Sequence, residues 1–130
     1  MTQQRIRELT LDYQNALARL QEAAREDLSK GSIVIDGTIQ RFEFTVELAW
    51  KLLKNILAFQ GIEAATPRAA IKEAFKAGII KDGQGWIDML EDRNQTSHLY
   101  DEDKAKTIFQ KIITDHLIGL KNLNDYLKTV

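Results

Sequence analysis

The chain contains no cysteine. That excludes disulfides, thiolate metal sites and cysteine nucleophiles, and it agrees with a cytoplasmic location. Proline occurs once, so almost nothing forces a helix to break. Neither sign of charge is in excess, since 18 Lys and Arg stand against 19 Asp and Glu. A protein that grips duplex nucleic acid by its backbone usually carries a strongly basic balance, so total charge demands no such partner; a local basic patch is still compatible with it. No apolar run approaches the ~20 residues needed to cross a bilayer. Residues 1–5 lead straight into an amphipathic pattern with no apolar signal region. The expectation is a cytoplasmic protein without membrane association, built as one domain over residues 1–130.

What is abundant is helical. Ile6, Leu9, Tyr13, Leu17, Leu20, Ala24 and Leu28 recur at steps of three and four, which predicts an amphipathic helix over 3–28 with Gly31 past its end. Residues 32–35 read as a connector and Asp36 as the cap of a second helix over 37–60. That helix carries apolar residues on more than one face (Phe42, Phe44, Val46, Leu48, Trp50, Leu52, Leu53, Ile56), so it is central in its bundle, covered by a second subunit, or both. Thr66-Pro67 is a cap followed by a first-turn proline and starts a third helix that stops at Gly78. Asp82-Gly83 is a turn signal, after which a short helix over 84–94 packs through Trp86, Met89 and Leu90. The last helix begins at Ser97 or Asp101 and runs to Leu127. The predicted fold class is all-α, an antiparallel up-and-down four-helix bundle with a short additional helix.

Between the last two helices lies Arg93-Asn94-Gln95-Thr96-Ser97-His98-Leu99-Tyr100. On an unbroken helix Arg93 and His98 point ~140° apart. Asn94, Thr96 and Ser97 are cap and turn formers, and a break there lets the two side chains converge. Histidine exchanges a proton near neutral pH. Arginine offers a rigid fork that fits phosphate oxygens. Such a pair suits cleavage of a phosphodiester that holds its own nucleophile, as RNA does in its 2′-hydroxyl, or simple binding of a nucleotide phosphate. The bland alternative is that His98 is an exposed loop residue and Arg93 pairs with Glu91, Asp101 or Glu102. Glu43 and Glu47 stand one turn apart on the second helix; they form ordinary i to i+4 pairs, Glu47 with Lys51, or one of them reaches the junction and holds Arg93 or His98. Two carboxylates without a histidine at ligand spacing make a poor metal site, so no metal and no cofactor are expected. His116, in the apolar stripe of the last helix, reads as a packed histidine with one hydrogen bond.

Arg93-x4-His98-x-Tyr100 resembles the signature of HEPN domains. The long block of residues 36–51, Thr66-Pro67-Arg68 with Ile71, Glu73, Ala74 and Phe75, and Trp86, Met89, Leu90, Asp92-Arg93-Asn94 with Tyr100-Asp101-Glu102 resemble more closely the HepT-like family, also described as nucleotidyltransferase substrate-binding proteins. The resemblance implies a helical homodimer whose two motifs share one cleft, and a cognate minimal nucleotidyltransferase as partner. It implies a toxin of a toxin–antitoxin pair: a metal-independent ribonuclease acting on RNA, with Arg93 and His98 catalytic; Asn94 at the break and Glu43 and Glu47 on the second helix are the supporting candidates beside them. Tyr100 would be the residue to which the partner transfers AMP as the silencing step. The alternative that it implies is a non-enzymatic substrate-binding subunit of a two-component nucleotidyltransferase.

Overall fold

The computed structural model describes residues 3–98 and 101–130. Helix α1 spans Gln3–Ala24 and buries Leu9, Tyr13, Ala16, Leu17 and Leu20, the predicted stripe. It ends before the expected residue 28. Asp27 turns the chain instead, its carboxylate accepting from the Ser29 amide at 2.9 Å to cap a 3-10 turn over Leu28–Lys30. Leu28 is consequently exposed rather than part of the stripe.

Gly31, at φ +101°, makes the reversal. Helix α2 then runs over Ser32–Phe59. The expected connector over 32–35 and the Asp36 cap are corrected here. The helix starts directly after Gly31, with no side-chain cap, and Asp36 lies within it. Burial of Val34 alongside Thr38 and Ile39 extends the apolar register backward by a turn, and packing outweighs the weak helix propensity of a Ser-Ile-Val-Ile start. Phe42, Ala49, Leu52, Leu53 and Leu57 are fully buried. At ~1.5–3 kcal/mol for each large apolar side chain buried, α2 is the main source of core stabilisation. It packs on α1 as an antiparallel hairpin and also touches the third, fourth and fifth helices, as its many-sided apolar pattern requires.

Helix α3 covers Pro67–Lys76 and is capped by Thr66, whose hydroxyl accepts from the Ala69 amide at 3.1 Å. Helix α4 covers Gly83–Gln95, capped by the Asp82 carboxylate, with Trp86, Ile87, Met89 and Leu90 inward. The final helical path is not one uniform helix. α5 covers Glu102–Lys111, a π turn covers Ile112–His116, and α6 covers Leu117–Leu127. α6 closes the bundle on α1: the Tyr13 hydroxyl donates to the Leu120 carbonyl at 2.6 Å and the Gln14 amide to Asn124 at 3.0 Å. The architecture is the all-helical bundle that the sequence predicts, with α3 as the short extra helix. No helix among the described residues is long and apolar enough to cross a membrane.

Candidate functional site

The expected break after α4 is present. α4 ends at Gln95, and Thr96–His98 forms a 3-10 turn whose first residue donates its hydroxyl to the Arg93 carbonyl at 2.6 Å. Thr96 is buried and anchors the turn, while Asn94, Ser97 and His98 are exposed. His98 is exposed and makes no hydrogen bond or ion pair among the described residues. Leu99 and Tyr100 lie outside the described residues, and the expectation for Tyr100 with them. Asp101 begins the next element by accepting from the Asp103 amide at 2.8 Å, which turns one carboxylate of the acidic run onto backbone.

Arg93 leans across to α2. Its Nη2 is 3.9 Å from Glu47 Oε2, a long ion pair between half-buried groups. The partners that its local sequence offered are not used; Glu91 instead lies 3.8 Å from Arg68. Arg93 Nε is buried and has no hydrogen-bond partner among the described residues. A guanidinium has five N–H donors, so this one is placed but under-committed. Glu47 also accepts from Trp50 Nε1 at 3.1 Å and lies 3.5 Å from Lys51 Nζ. Both readings of Glu47, the i to i+4 pair and the reach to Arg93, are therefore realised at once. Glu43 is half-buried and forms no ion pair among the described residues.

Lys54 sits over the Trp50 ring, 5.9 Å from its centroid. Glu47 thus has two cations, Arg93 and Lys51, at 3.9 and 3.5 Å, while Lys54 lies on the neighbouring Trp50 ring. Among the described residues no group of three or more His, Asp or Glu is placed to hold a metal ion.

The sequence reading missed the role of Asp92. It is buried beside Arg93, and its carboxylate meets Lys111 Nζ at 2.7 and 2.9 Å and His116 Nε2 at 2.6 Å. His116 has the single hydrogen bond expected of it and stacks on Phe42 with ring centroids 5.4 Å apart. The available signal was a charge in an otherwise packing helix that had no local partner.

Comparison with known proteins bears on the family and the fold. The family described as nucleotidyltransferase substrate binding protein like matches residues 9–129. A Haemophilus influenzae protein named probable ribonuclease HepT is 35% identical over 100 residues, 73% of this chain and 68% of the relative. A crystal structure from Thermus thermophilus superposes with a TM-score of 0.81 at 33% identity, covering 89% of this chain and 98% of that one. The second structure, from Haemophilus influenzae and presented as the fold of a substrate binding domain of a nucleotidyltransferase, gives a TM-score of 0.69 at 27% identity over 95% and 96% of the two chains. Matched along almost its whole length in sequence and in fold, the chain belongs to the HepT-like, nucleotidyltransferase substrate-binding protein family.

Proposed function

We propose that this protein is a metal-independent endoribonuclease, the toxin of a toxin–antitoxin pair whose partner nucleotidyltransferase silences it by transferring AMP to Tyr100. The observation that carries the reading is Arg93: a guanidinium held by one long ion pair to Glu47, which Lys51 shares, with no partner at Nε among the described residues. That arrangement is poised for an anion such as a backbone phosphate. The exposed His98 follows five residues later. In the proposed reaction its neutral imidazole takes the proton of an RNA 2′-hydroxyl. The 2′-oxygen bonds to phosphorus as the bond to the 5′-oxygen breaks, and the leaving oxygen takes up a proton. The products are a 2′,3′-cyclic phosphate and a 5′-hydroxyl. Arg93 stabilises the charge that builds on the phosphoryl oxygens. The name of the Haemophilus relative supports the same activity.

Dimerisation belongs to the proposal. Ile33, Gly37, Gln40, Phe44, Glu47 and Lys51 follow steps of four and three along α2 and form one outward stripe. Ile33 and Phe44 are 72% and 66% exposed, too apolar for a face meant only for water. A second copy laid on this stripe brings its own Arg93 and His98 close to the first pair.

Cleavage of RNA by the purified protein with EDTA present tests the activity. His98→Ala is expected to abolish it, by 10²-fold or more in order of magnitude, with the helical spectrum unchanged. Unaltered cleavage in that variant overturns the role of His98. The second reading, a non-enzymatic subunit that positions substrate for a nucleotidyltransferase, is favoured by the family description and the Haemophilus structure. It predicts a stable complex with such an enzyme and no RNA turnover.

A further inference from the structure

We infer that Asp92, Lys111 and His116 form a positioning clamp that sets the direction of Arg93. The inference rests on Arg93 being the anion-contacting residue of the proposed site.

Asp92 lies in the last turn of α4, where the helix dipole disfavours a carboxylate. It is also buried, and a buried charge is retained only with partners. Both partners come from the far end of the chain. Lys111 Nζ reaches both carboxylate oxygens, and His116 Nε2 meets Oδ2. With Asp92 ionised, the His116 Nε2–H is the donor. Lys111 and His116 are five residues apart, and an ordinary α-helix would aim them ~140° from each other. The π turn over Ile112–His116 removes that divergence. Its five-residue bond, from the Leu117 amide to the Ile112 carbonyl, loosens the winding so that positions five apart come near one face. Backbone irregularity is spent where two side chains must converge on one carboxylate. Phe42 of α2 fixes the His116 ring by stacking.

Two consequences reach Arg93. The carboxylate next to it in sequence is fully engaged elsewhere, which leaves the guanidinium for Glu47 and an incoming anion. The last turn of α4 is also held rotationally by two points on the α5–α6 path. Arg93 departs from that turn and, among the described residues, has no hydrogen bond at Nε to hold it from its own side.

The test uses the full chain with Asp92→Asn, Lys111→Met, His116→Phe and His116→Gln. His116→Phe keeps a ring for Phe42 and removes the donor, whereas His116→Gln restores a donor near the Nε2 position. RNA cleavage is measured below each variant's unfolding midpoint. The Arg93 Nε–Hε resonance, assigned by its loss in Arg93→Lys, is followed with and without a 2′-O-methyl oligonucleotide that has no nucleophile. Asp92→Asn and His116→Phe are expected to shift that resonance and lower kcat by roughly 10²-fold, the scale of an ångström-level misplacement. KM should change little, and His116→Gln should recover both readouts. A folded Asp92→Asn protein with wild-type kcat and an unmoved Arg93 resonance overturns the clamp. If Asp92→Asn does not fold, Lys111→Met decides by the same two readouts, because its amine is partly exposed. A wild-type protein that cleaves no RNA refutes the ribonuclease reading. The Arg93 resonance and its response to the oligonucleotide then still decide the positioning role.

Discussion

Single residues here are set apart by how completely their polar atoms are satisfied. Tyr13 is fully buried with its hydroxyl on the Leu120 carbonyl, and burial pushes its phenol well above the ordinary 10.0. The folded chain therefore keeps Tyr13 neutral where the unfolded chain ionises. Its contribution is fully present below pH 10.0 and is lost as pH rises above that toward the folded value, by about 1.4 kcal/mol per pH unit. Tyr13→Phe should lower stability at neutral pH by about 1–2 kcal/mol, since the carbonyl loses its donor. It should also flatten the alkaline fall relative to wild type. Urea titrations of both proteins at pH 7 and above 10 measure the two effects together. Arg93 is the contrast: its Nε is buried without a partner among the described residues, which is the deficit on which the proposed site rests.

Elements differ in how locally they are encoded. α3 and α4 carry their own start signals, and both begin where Thr66-Pro67 and Asp82-Gly83 place them. Thr66→Ala should cost about 1 kcal/mol, read as a lowered midpoint in thermal unfolding followed by circular dichroism. The start of α2 and the end of α1 are not encoded that way. Asp36 is a competent cap by composition, yet it sits inside α2 because Val34 gains more by packing than a connector gains by turning. The π turn in the last helix was equally hidden. The apolar spacing of residues 105–127 reads as one helix, and the π turn coincides with the stretch over which Lys111 and His116 both meet a carboxylate of α4.

At the scale of the whole molecule, α2 supplies the largest share of the core and also carries the face of the proposed dimer. One side is the core; the other presents Ile33 and Phe44 to solvent on the face that carries Glu47. The dimer proposed on that stripe makes a direct prediction. Phe44→Glu should shift the protein toward monomer in light scattering at micromolar concentration, because a charge cannot be covered by an apolar partner face at acceptable cost. Its unfolding midpoint, measured at high dilution where wild type also dissociates, should match wild type, since Phe44 takes no part in the core.

The sequence by itself determined the helical class, the central place of α2, the cap of α3, the turn ahead of α4, and the break that follows Arg93. All are consequences of local spacing and side-chain chemistry, which act within a turn or two. It also brought Arg93 and His98 forward as candidates, since an arginine and a histidine in a polar junction are conspicuous in a chain with so few interruptions. Only the tertiary structure decided who holds Arg93. Glu47 is 46 positions away in sequence, and the choice between it and the nearer Glu91 follows from how α2 crosses α4. The same applies to Asp92. A carboxylate at that position has no local reason to be buried, and its partners arrive from the last helix through a π turn. Pairing of buried charges depends on the packing of distant elements, and spacing along one helix carries no record of it.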